Sequence, residues 1–138
     1  MARRKVRVEF EDDLGRPVVY HRQRSGGGLV SPRAQVDETA SLARESYVEE
    51  GARVGARARV GVGSWIDVDA CLEHDVVVGR NVHVGRRTTV GARARLEDGS
   101  RIGRDVRVEP GAHVQPDSVI PDGAVVRRDG RRRYGIAA

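Results

Sequence analysis

Two histidines stand nine residues apart in the stretch "CLEHDVVVGRNVHVG", residues 71–85, and the first, His74, lies between the carboxylates Glu73 and Asp75. An imidazole largely neutral at pH 7 can take a proton from an attacking amine or hydroxyl, and a neighbouring carboxylate fixes its tautomer and orientation. That makes His74 the candidate general base, with Glu73 and Asp75 as candidate partners. The same stretch carries Leu72, Val78 and Val84 six residues apart, so the histidines are either working groups or passengers on a repeat.

The repeat extends far beyond this stretch. Aliphatic residues recur every six positions without a break from Val30, Val36 and Leu42 to Val114, Ile120 and Val126, and the residue four after each is small or β-branched. Gly, Asp or Asn often comes three after the aliphatic, where a positive φ is cheap. A helix repeats every 3.6 residues and a strand every two, so neither accommodates a period of six. A prism whose sides are short strands joined by tight turns does.

Composition agrees. Aromatics are 4% of the 138 residues and glycine contributes 17, so the core must be narrow and lined with small branched side chains. Residues 1–29 fall outside the frame and read as a hairpin or arm, "KVRVEF" to "VVYH", followed by a flexible joint, "SGGG". Residues 30–126 form the prism and residues 127–138 a basic tail. The formal net charge is +5, with Arg3, Arg4 and Lys5 clustered at one end and "VRRDGRRRYG" at the other. A basic end can meet nucleic acid or phosphate groups, and the plainer reading is a solvated, frayed terminus. A single cysteine, Cys71, with no secretory leader and no apolar run of membrane-spanning length, leads to the expectation of a cytoplasmic protein with no membrane contact. Nucleic acid is not an expected partner, because few aromatics are present to stack on bases.

The hexad pattern resembles the hexapeptide repeat of the left-handed parallel β-helix, and the resemblance covers residues 30–126. It implies an all-β fold of a little over five coils, each of 18 residues, so that residues 18 apart lie above one another. At the usual strand spacing the stack is roughly 26 Å tall. Read vertically, "LEHDVV" at 72–77 lies between two copies of "VGARAR". His74 then has Ala56 and Ala92 as neighbours, and Asp75 stands in a charge ladder between Arg57 and Arg93, which could also present two guanidinium forks to an anion. His83 falls in another column, Tyr47, Trp65, His83, Arg101, Val119, an outward aromatic stripe suited to a subunit interface or to ligand stacking. Cys71 lies between Arg53 and Thr89 as a packed, unreactive thiol.

Within the hexapeptide superfamily, "LEHDVVVGRNVHVG" resembles the motif of bacterial sialic-acid and amino-sugar acyltransferases, which pair a His with an Asp or Glu and set a second His nine residues on. The resemblance implies His74 as general base. It implies His83 as a residue that holds the acyl thioester across a subunit boundary of a trimer, and acetyl-CoA or another acyl-CoA as cosubstrate. The expected acceptor is a small, sugar-like molecule, and Trp65, Arg57, Arg93 and Arg101 are the remaining candidate binding residues. "HVGRR" departs from the small residues usual after the second His. No metal is expected: the γ-class carbonic anhydrases of similar fold use three converging histidines, whereas His74, His83 and His113 occupy different registers. The alternative is a non-catalytic scaffold that associates with itself through its faces or ends, into filaments.

Overall fold

In a strand successive side chains point to opposite faces, so a two-residue strand sends one side chain inward and one outward. The computed structural model describes residues 6–129 and 132–133 and builds almost everything from this unit. Arg3, Arg4 and Lys5 lie outside the described residues, as does most of the C-terminal tail. From β3 (Leu29–Val30) to β19 (Val125–Val126) a two-residue strand occurs every six residues, and its second residue is the period-six aliphatic. Val48, Val54, Val60, Ile66, Leu72 and Val84 are buried, while Arg53, Arg59 and Trp65, the first residues of their strands, are exposed. No helix is long and apolar enough to cross a membrane among the described residues.

Each strand pairs in parallel with the strand one coil on, as Leu29 with Tyr47 and Tyr47 with Trp65. The strands collect into three sheets. The first runs from β3 through β12 (His83–Val84) to β18 (Val119–Ile120), and the second from β4 (Gln35–Val36) through β10 (Cys71–Leu72) to β19. The third runs from β5 (Ser41–Leu42) to β17 (His113–Val114). The result is an all-β parallel solenoid of about five turns, in keeping with the left-handed β-helix that the period implies.

Three residues past each aliphatic the chain must turn sharply. From Glu45 to Gly123 every such position has positive φ, glycine at five of them and Asp69, Asp75, Asn81, Asp105, Asp117, Glu45, Arg57, Arg87 and Arg93 at the others. Asp and Asn tolerate this conformation because their side chains bond locally, whereas Arg and Glu accept a cost of order 1 kcal/mol that the surrounding coils must offset. The small position between turns supplies buried hydroxyls that stitch coils together. Ser64 Oγ donates to Gly79 O at 2.7 Å and accepts from Val82 N at 3.0 Å, and Thr88 repeats the arrangement with Gly103 O and Val106 N.

The ends are covered in three places. β1 (Val6–Glu11) and β2 (Pro17–Arg22) form an antiparallel hairpin, and β2 pairs antiparallel with β3, closing the lower edge of the first sheet. At the other end β20 (Arg132–Arg133) pairs antiparallel with β19. The glycine-rich joint is not the free linker expected. Gln23 accepts from Leu42 N and donates to Ala40 O, and Ser25 O accepts from Leu42 N as well, so this segment lies against the lower edge of the third sheet. Glycine is required there because a Cβ on Gly26 would fall 2.3 Å from Leu42 O.

Candidate functional site

His74 occupies the middle of a turn between β10 and β11 (Val77–Val78), in an interior coil braced above and below. The preceding coil has Gly55 at the facing position, and a Cβ there would meet the backbone of Glu73 and His74 at 2.7 and 2.8 Å. The turn can approach its neighbour only because Gly55 lacks a side chain. The left-handed conformation at Asp75, φ 60°, then brings its carboxylate back to the preceding imidazole, with His74 Nδ1 2.8 Å from Asp75 Oδ2.

Asp75 is itself held from below. Arg57 donates from Nε and Nη2 to its two oxygens, each at 3.0 Å. This fork, and then the bond from His74, hold the Asp75 carboxyl well below the usual range, at about 2. The carboxylate therefore only accepts at neutral pH, so the proton between it and the imidazole belongs to His74 Nδ1, and in the neutral ring the lone pair is on Nε2. Arg57 is braced in turn: its backbone N–H donates to Thr39 Oγ1 at 2.8 Å, and Thr39 is tied to Asp37 by its own N–H and hydroxyl.

Of the two expected carboxylate partners, only Asp75 touches the ring. Glu73 accepts from Ala92 N at 3.0 Å and so fastens the coil above. The charge ladder is likewise half formed, because Arg93 makes no side-chain bond among the described residues whereas Arg57 is fully engaged.

His74 and Glu73 stand on the rim of a groove of about 1080 Å³ that descends the second sheet past Cys71 and Arg53 to the N-terminal segment 21–25. Val30, Ala34 and Val36, the incompletely buried start of the core, line its lower end. Burial pushes the Cys71 thiol up, Glu73 adds to this, and Arg53 opposes it only in part, which disfavours the reactive thiolate.

His83 lies elsewhere, on the first sheet. It is paired between Trp65 and Arg101, and its ring stacks on the indole with centroids 4.3 Å apart and planes 14° from parallel. Two carboxylates missed in the sequence hold this pair. Asp67 Oδ2 lies 3.0 Å from His83 Nε2, and Glu49 accepts from Trp65 Nε1 and from the Tyr20 hydroxyl of the hairpin, both at 2.7 Å. Both occupy the position just after the period-six aliphatic, next to the aromatic column, and an acid beside an outward aromatic was the available signal. Within one chain His74 and His83 line different grooves on different sheets. Among the described residues no group of three His, Cys, Asp or Glu side chains converges to hold a metal ion.

Comparison with protein-family models and with curated proteins finds no match. Among solved structures, the chain is similar to GDP-perosamine N-acetyltransferase from Caulobacter crescentus, bound to CoA and GDP-perosamine, with 24% identity and a TM-score of 0.40 over 80% of this chain and 58% of that one. It is similar to the acetyltransferase domain of PglB from Neisseria gonorrhoeae in complex with acetyl coenzyme A, with 25% identity and a TM-score of 0.43 over 72% of this chain. A hexapeptide transferase family protein from Anaplasma phagocytophilum aligns at 12% identity, a TM-score of 0.46 and 74% of each chain. The chain spans 58% and 53% of the lengths of the first two.

Proposed function

We propose that the protein is an acyl-CoA-dependent acyltransferase in which His74 is the general base. The observation that carries this reading is the His74–Asp75–Arg57 arrangement on the rim of the large groove, with Nδ1 committed to a carboxylate and Nε2 free. In the reaction, Nε2 takes the proton of an acceptor amine or hydroxyl as its nitrogen or oxygen bonds to the thioester carbonyl carbon. The carbon–sulfur bond breaks, and the imidazolium returns the proton to the departing thiolate. The acceptor is a small sugar-like molecule, as the motif resemblance implies. A neighbouring copy in a trimer supplies His83, whose Nδ1 is left over from the bond to Asp67, to hold the acyl thioester.

The rival scaffold reading associates solenoids through their faces or end to end, and the second mode needs open strand edges. The hairpin on β3, the segment against Leu42 and β20 on β19 all occupy strand edges that stacking would use.

Calorimetric titration with acetyl-CoA tests the proposal, with binding expected in the micromolar to millimolar range usual for substrates. Thiol release with amino-sugar acceptors should be lost in His74→Ala. Absence of acetyl-CoA binding overturns the enzyme reading, and scattering mass that grows with concentration in place of a discrete trimer supports the scaffold.

A further inference from the structure

A second groove, of about 570 Å³, opens at the turn that follows the first sheet, in the upper coils. Arg86, Arg101 and Arg104 line it together with His83. Arg101 makes no side-chain bond among the described residues. The other two guanidinium groups are loosely engaged, Arg86 Nε 3.8 Å from Asp67 Oδ1 and Arg104 Nη2 3.4 Å from Asp122 Oδ2. Both carboxylates are already committed to backbone, Asp67 to Val68 N at 2.7 Å and Asp122 to Arg104 N at 2.8 Å.

A backbone donor at this turn is open as well. At the middle position of a turn, Arg80 and Arg104 each give their backbone N–H to the aspartate 18 residues on, Asp98 and Asp122, at 2.8 Å. The residue 18 after Arg86 is Arg104, and the N–H of Arg86 donates to no acceptor among the described residues. An unused N–H recurs at this position of the repeat, at Ala56, Val62 and His74 among others; at Arg86 it belongs to a groove that three arginines line. Gly85 and Gly103 also line the groove, and each lets the next coil approach closely, since a Cβ on Gly85 would fall 2.3 Å from Gly103 O.

We propose that this turn is a phosphate-binding site, formed by Arg86, Arg101 and Arg104 with the N–H of Arg86. Arginine forks suit phosphate oxygens because they donate in pairs with fixed geometry, and the bonds are charge-assisted. The phosphate belongs to a small molecule, and the same chemistry serves a phosphorylated acyl carrier or a phosphorylated acceptor. The site stands whether or not the chain transfers an acyl group.

Titration of the full chain with inorganic pyrophosphate, followed by phosphorus NMR, tests it. Arg101→Gln and Arg104→Gln should each weaken binding roughly five- to tenfold, the order expected for one charge-assisted bond at an open site. Arg59→Gln, which removes an exposed arginine on the third sheet, should leave binding unchanged. No pyrophosphate binding, or equal weakening by all three substitutions, overturns the site, since equal weakening reports bulk charge alone. Displacement by coenzyme A assigns the phosphate to the carrier, and displacement by a sugar nucleotide with none by coenzyme A assigns it to the acceptor; either supports the site.

Discussion

Gly55→Ala separates a requirement for close approach from every other role that glycine can play. Gly55 is not among the glycines with positive φ, so alanine adds a methyl group without backbone strain. That methyl carbon would lie 2.7 Å from the Glu73 carbonyl carbon and 2.8 Å from His74 N, whereas ordinary contact begins at 3.4 Å. Both neighbours are backbone and cannot swing aside, so the turn must retreat by about 0.6–0.7 Å. Overpacking of this kind costs about 1–3 kcal/mol. For a domain of this size that is a fall in melting temperature of roughly 3–10 °C. The displaced atoms belong to the candidate base, so the amide resonance of His74 should move in the same variant. Gly123→Ala is the complementary control: nothing lies within 4 Å, but φ is +74°, so its cost of about 1 kcal/mol is strain alone and leaves His74 unmoved. A Gly55→Ala protein that melts with the wild type and keeps the His74 resonance would refute the reasoning.

Two further outcomes follow from the same structure. Asp75 has its folded pKa depressed to about 2, first by Arg57, so its contribution to stability is complete above the ordinary carboxyl value and is lost as pH falls from about 4 towards 2. In Arg57→Gln the Asp75 titration, followed by carbon-detected NMR, should move up towards the ordinary value and the loss of stability in that window should shrink; a midpoint that stays near 2 rules out the fork as its cause. Leu72→Ala empties a fully enclosed site and should cost about 2–5 kcal/mol by urea denaturation, whereas Val36→Ala in the partly open first coil should cost distinctly less. Equal losses would contradict a core closed in the middle and open at its base.

The fold was legible because one residue class repeats in one register. Period-six aliphatics specify inward positions, and an 18-residue coil then aligns Cys71 with Arg53 and Thr89, and His83 with Trp65 and Arg101, as the strand pairing has it. The site was legible only as far as columns reach. Vertical reading brings Arg57 to Asp75, but a column treats Arg57 and Arg93 as equivalent and cannot tell which one the carboxylate turns towards. It also cannot show that Glu73 is spent on Ala92 N, because the partner is a backbone group 19 residues away. The "SGGG" joint misled for a related reason: glycine signals freedom in isolation, yet here it permits contact with Leu42. The large groove was invisible, since one end of its wall comes from residues 21–25, which carry no repeat.

The ladder of strands paired 18 residues apart also decides how the molecule comes apart. No strand of the first coil touches one of the fifth, so the free energy is a sum of coils and of interfaces between adjacent coils, as in a one-dimensional chain of coupled units. Opening starts at the two ends and advances one interface at a time, unless a weak interior joint divides the stack. His74 lies well inside that stack, so amide exchange there should be slow, while the lower wall of its groove belongs to one of the two ends at which opening starts. A rigid base thus faces a wall that can breathe, and a bound molecule spanning both would be felt as a clamp on the first coil.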